Sequence, residues 1–141
     1  MKISQEYKDL IVNEFEEVDQ SLQSAQDPND FLYFFSASFG ILNRIMNIQC
    51  DPTLVFMHQI LQSLHQSMQA RLQAAGINQS STMAFPIEFL AKMKEILQQL
   101  RAAFMKGSDA ETHSVLSRAA NLTYASSGNG YYLYIRQKLN I

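Results

Sequence analysis

Three histidines are the residues of this 141-residue chain best suited to metal or acid–base chemistry. His58 and His65 share one predicted helix, where seven residues separate them by about 10.5 Å along the axis. Metal-binding helices usually present two ligands three or four residues apart, so a shared ion needs long side-chain reach. A three-histidine site also requires His113, on another predicted helix, to dock between them. Their positions at the edge of an apolar face favour structural histidines that are hydrogen-bonded to glutamines.

The other reactive groups of the chain form no recognised catalytic motif. Cys50, the only cysteine, precedes a predicted helix start that favours a thiolate, but the adjacent Asp51 opposes this effect. Glu111 and His113 are two residues apart, which does not match the Glu-x-x-His pattern of di-iron bundles. The sequence also contains no glycine-rich phosphate loop. We therefore expect no catalytic residue, no resident metal and no cofactor.

One predicted helix carries a short basic flank, which consists of Lys92, Lys94, Arg101 and Lys106. A nucleic-acid site usually presents a larger surface of one charge, and no tight helix-turn-helix precedes these residues. The first thirty residues carry a net charge of −6, whereas residues 31–107 carry +3. This asymmetry favours an acidic, solvent-facing helix beside a mildly basic one, and nucleic acid is not an expected partner.

The elements that would position these groups are helices. Apolar residues recur every three or four positions through most of the chain, which predicts an all-α fold. Asp-Pro pairs at Asp27 and Asp51 mark helix starts, and Gly107 with the following Ser-x-x-Glu capping box marks an end and a start. The predicted helices span about 4–24, 28–48, 52–75, 86–106 and 109–125.

A short C-terminal segment at 131–139 is predicted to be helical as well, although its tyrosines have strand propensity. We expect a single-domain bundle over residues 1–141. One cysteine excludes an internal disulfide, and the N-terminus passes directly into an acidic amphipathic helix without a signal peptide. The longest weakly polar run, 31–42, is shorter than the roughly 20 residues that cross a bilayer. The expected location is the cytoplasm.

The second predicted helix is apolar around most of its circumference. Its narrow stripe of small or polar residues consists of Ser36, Gly40, Asn43 and Asn47, with Arg44 beside it. Such a helix must be surrounded, either by its own bundle or by a partner. Gly40 costs roughly 1 kcal/mol relative to alanine inside a helix, and with Ser36 it would let another backbone approach closely. Enclosure within the chain and the seam of a homodimer both stay open.

Only 17% of the residues are charged, and a charge-poor, aromatic-rich chain favours partner surfaces. The leading hypothesis is a non-enzymatic interaction module (adaptor, chaperone or regulator) that binds another protein or a second copy of itself. The candidate interface residues are Phe31, Phe35, Ser36, Gly40, Tyr131, Tyr132 and Tyr134. The alternative is a small metal-dependent or ligand-binding helical enzyme that uses His58, His65 and His113.

Overall fold

The computed structural model of the chain describes residues 1–74 and 87–126. These residues form five helices and no strand: α1 (Gln5–Ser24), α2 (Pro28–Met46), α3 (Pro52–Ala74), α4 (Ile87–Lys106) and α5 (Asp109–Ser126). The predicted all-α fold with five main helices is confirmed, and every helix end lies within two residues of its predicted position. The predicted helical segment at 131–139 lies outside the described residues.

The two Asp-Pro pairs begin helices as predicted. Asp27 Oδ1 accepts a hydrogen bond from the backbone N–H of Asp30 at 2.9 Å, at the start of α2. Asp51 Oδ1 accepts one from the backbone N–H of Thr53 at 2.8 Å, at the start of α3. Each carboxylate satisfies a first-turn donor that has no partner within the helix, and the proline that follows has no N–H to satisfy.

Gly107 ends α4 in the left-handed conformation, with φ of 68°. Its N–H donates to the carbonyl of Phe104, and the N–H of Ser108 donates to the carbonyl of Ala103, which together form a Schellman motif. A side chain at this φ would be strained, so glycine fits this position best. Ser108 Oγ then accepts the N–H of Glu111 and caps α5.

Each helix packs mainly against two others, and these contacts close a ring in the order α1, α2, α3, α5, α4. One apolar face of each helix points into the ring, where the side chains share one core. The largest fully buried side chains are Ile11, Phe15, Leu22, Phe35, Leu42, Leu54, Met57, Leu61, Leu64, Met68, Met93 and Leu97. The helix α2 is therefore one member of the ring and not its centre.

The acidic α1 lies beside the basic α4, in agreement with the charge pattern of the sequence. Glu16 pairs with Arg101 at 3.0 Å, and the side-chain amide of Gln98 donates to Asp19 Oδ1 at 3.0 Å. These groups are on the solvent-facing edge of the two helices, where such a pair contributes about 1 kcal/mol or less. The core therefore holds the two helices together, and the polar contacts agree with that packing.

Candidate interaction surface

The three histidines do not converge. The helix α3 lies between α2 and α5, and His58 and His65 face α2, where each ring contacts Phe39 edge to face at centroid distances of 6.0 and 5.4 Å. His113 comes from α5 on the other side, and its Nε2 lies 3.1 Å from Thr53 Oγ1. Within residues 1–74 and 87–126, no three His, Cys, Asp or Glu side chains are grouped so that they could hold a metal ion.

His65 has a backbone partner that the sequence did not indicate. Its Nε2 lies 3.1 Å from the carbonyl oxygen of Leu32 on α2, so the Nε2–H donates to that oxygen. The predicted glutamine partner is wrong for this histidine, because the spacing along α3 shows its own neighbours and not the helix that packs against it. Burial lowers the pKa of His65 below its ordinary value of 6.5, and the bond to Leu32 opposes that shift only in part.

This shift makes the stability of the fold depend on pH. Below about pH 6.5 the unfolded chain protonates His65 while the folded chain resists protonation, so the free energy of unfolding falls as the pH drops. We expect the urea midpoint to decline between about pH 7.5 and pH 5.5, and the decline to be smaller in His65→Gln. Gln62→Ala, an exposed change on the same helix, serves as the control. Equal declines in His65→Gln and wild type would contradict the assignment.

Three of the four basic residues on α4 already contact neighbouring side chains. Arg101 pairs with α1, and Lys106 Nζ lies 3.4 Å from a carboxylate oxygen of Glu111. Lys94 Nζ lies 5.8 Å from the centroid of the Phe31 ring, a cation–π distance. The described part of α4 therefore presents no continuous basic surface of the kind that nucleic-acid sites use.

A shallow groove of about 260 Å³ runs between the outer sides of α4 and α5, lined by Gln99, Ala102, Ala103, Glu111, Ser114, Val115 and Arg118. The two charged residues in its lining, Glu111 and Arg118, have opposite signs. Glu111 already pairs with Lys106. The lining holds no histidine or cysteine, so this groove lacks the converging titratable groups of a catalytic site.

Two of the predicted interface residues point into the core. Phe31 and Phe35 are 2% and 0% exposed and stack on each other at a centroid distance of 6.2 Å. Ser36 and Gly40 are partly exposed on another side of α2. Tyr131, Tyr132 and Tyr134 lie outside the described residues. A helix that is apolar all round does not show which face turns inward, so the sequence could not separate these positions.

The face of α2 that points out of the ring is the candidate site. Tyr33, Gly40 and Arg44 recur at helical spacing on this face, with Ser36 and Ala37 beside them, and we call these five residues the outer α2 surface. Ala37 stands at its edge, where it is half-buried against the core. Tyr33 is 75% exposed. Apart from the adjacent residues and the backbone of α2 itself, no described atom lies within 4 Å of the position that a Cβ on Gly40 would occupy. Tyr33 belongs to the aromatic run 31–35, and its position two residues from each buried phenylalanine places it on the opposite side of the helix.

Opposite charges stand at the two ends of this surface. Asp30 lies one turn before Tyr33, and Arg44 lies one turn after Gly40. Both side chains are exposed, and neither has an ion-pair partner among the residues described. Fourteen residues of helix separate them by about 21 Å, so they cannot pair within one α2 helix.

The described residues form a small five-helix bundle in which the outer α2 surface is at least partly exposed. In comparisons with known proteins, the chain matches no family model, no curated protein and no solved structure with statistical significance. Over the described ranges, none of the helices combines the length and apolar character needed to cross a membrane. What the protein does must therefore be inferred from its own residues.

Proposed function

We propose that this protein is a non-enzymatic interaction module that binds a polypeptide through the outer α2 surface. The observation that supports this is the pairing, on one uncovered helix face, of a tyrosine that is 75% exposed with a glycine beside open space. Exposed tyrosines are frequent anchors of protein interfaces. A glycine inside a helix costs roughly 1 kcal/mol, and no described residue of this chain uses the space that Gly40 leaves.

A partner helix would explain both the exposed tyrosine and the glycine inside α2. Ser36, Ala37 and Gly40 are small enough for another backbone to approach α2 closely, and Tyr33 and Arg44 can contact the partner at the edges. The enzyme hypothesis has no comparable support, since His58 and His65 face α2 whereas His113 approaches from α5. Binding to a polypeptide therefore explains the described residues better than catalysis does.

The experiment places a photoreactive benzophenone amino acid at position 33. The purified protein is irradiated alone and in an extract of the cells that produce it, and the products are separated by mass. We expect one discrete adduct that disappears when Gly40→Arg is added, because the arginine fills the space beside α2. Position 117, an exposed serine on α5, is the control and should give no such adduct. The absence of an adduct at position 33, or the same products at both positions, would refute the proposal.

A further inference from the structure

We infer that the partner of the outer α2 surface is a second copy of this chain, whose α2 lies antiparallel across it. This inference rests on the proposed function, because it names what that surface binds. The argument starts from the order of residues along α2. Tyr33 and Arg44 are equally distant from the midpoint between Ala37 and Gly40. Two antiparallel copies that cross at this midpoint place Ala37 against the partner's Gly40, and Tyr33 against the partner's Arg44.

The charges select this orientation. Because Asp30 lies one turn before Tyr33, the partner's Arg44 approaches both the Tyr33 ring and the Asp30 carboxylate. Twofold symmetry produces the same contacts a second time, so all four exposed charges gain partners that they lack within the described residues. A parallel pair would instead place Arg44 against the partner's Arg44 and Asp30 against the partner's Asp30, and both contacts are repulsive.

The sizes of the side chains along the outer α2 surface agree with the antiparallel arrangement that the charges favour. The midpoint of the crossing lies between the two smallest residues of the surface, and a Cβ on Gly40 would meet no described atom within 4 Å apart from its chain neighbours and the backbone of α2. Two helices can therefore approach most closely where the symmetry axis passes. The larger side chains, Tyr33 and Arg44, stand at the ends of the contact, where they have room to extend over the partner.

Cross-linking between introduced cysteines tests the orientation. The background is Cys50→Ser, since Cys50 is the only cysteine and is exposed. Tyr33→Cys and Arg44→Cys proteins are treated with a short bismaleimide, alone and as an equal mixture, and linked peptides are mapped by mass spectrometry. We expect dimers linked from position 33 to position 44 in the mixture, and few links in either protein alone.

A charge-reversal series tests the contacts without removing the tyrosine. Because Arg44→Asp loses both symmetric contacts, it should raise the dimer dissociation constant about tenfold or more in sedimentation equilibrium. Asp30→Arg combined with Arg44→Asp should recover most of that loss, since the opposite charges meet again. The matched control is Arg118→Asp, which changes an exposed arginine on α5 and should leave the constant unchanged.

The experiments distinguish a failure of the dimer inference from a failure of the proposed function. Efficient 33-to-33 links would show a parallel pair and overturn the inference, while the proposed function would stand. A monomer at all concentrations, with a heavier photoadduct at position 33 in extract, would overturn the inference and identify another protein as the partner. A link from position 33 to residues 127–141 of the same chain would overturn it in favour of an internal contact. No adduct of any kind would refute the proposed function itself.

Discussion

Replacing Phe35 by alanine is expected to lower the free energy of unfolding by about 3–5 kcal/mol. Phe35 is fully buried inside the ring of helices and stacks on Phe31. Removing its ring leaves a cavity that the surrounding helices can close only in part, so both apolar transfer and packing energy are lost. Urea unfolding followed by circular dichroism at low protein concentration measures the change.

The control for this prediction is Tyr33→Ala on the same helix. Tyr33 is two residues from Phe35 and 75% exposed, so its removal should change the stability of the single chain by about 0.5 kcal/mol or less. The same variant should weaken dimerisation in sedimentation equilibrium, because it removes the exposed aromatic ring from the outer α2 surface. If Tyr33→Ala destabilised the chain as much as Phe35→Ala, the assignment of inner and outer faces of α2 would be wrong.

Replacing Asp51 by alanine is expected to cost about 3 kcal/mol, because a buried carboxylate that serves two parts of the chain is lost. Its Oδ1 caps α3 through Thr53, and its Oδ2 accepts the backbone N–H of Lys2 at 2.9 Å. The variant therefore leaves two backbone donors without their partner, one in α3 and one in the segment before α1. Urea unfolding measures the loss.

Asp27→Ala is the matched control, because Asp27 also begins an Asp-Pro pair but its carboxylate caps only α2. The expected cost of this change is about 1 kcal/mol, typical of a lost helix cap. The difference between the two variants then measures the contact of Asp51 with Lys2. Equal losses in the two variants would show that this contact does not stabilise the fold.

The Asp51 carboxylate also makes the stability of the fold depend on pH in the acidic range. Burial of Asp51 opposes ionisation, but the backbone N–H groups of Lys2, Thr53 and Leu54 and the positive N-terminus together outweigh it and lower the pKa below its ordinary value of 3.8. The ionised carboxylate therefore stabilises the fold above the unfolded pKa, and this contribution is lost as the pH falls through the lowered folded value. The excess cost of Asp51→Ala over Asp27→Ala should accordingly shrink in that acidic range.

The sequence alone determined where the helices begin and end. Asp27 and Asp51 each cap a helix through a backbone donor two or three residues away, and Gly107 with Ser108 ends one helix and begins the next. These signals act over a single turn, so they can be recognised before any tertiary contact is known. The apolar repeat of α1 likewise predicted its buried face, where Ile11 and the residues at helical spacing from it are buried.

The packing of the helices against one another, and not their local sequence, sets which side of α2 turns inward and what His65 contacts. Because α2 is apolar nearly all round, its sequence does not mark one side of the helix as the buried side. Packing against α1 and α3 buries Phe31 and Phe35 and leaves Tyr33 exposed. The carbonyl of Leu32 that His65 contacts belongs to another helix, 33 residues away in the chain. A contact between helices depends on how they are arranged in space, and local spacing carries no information about that arrangement.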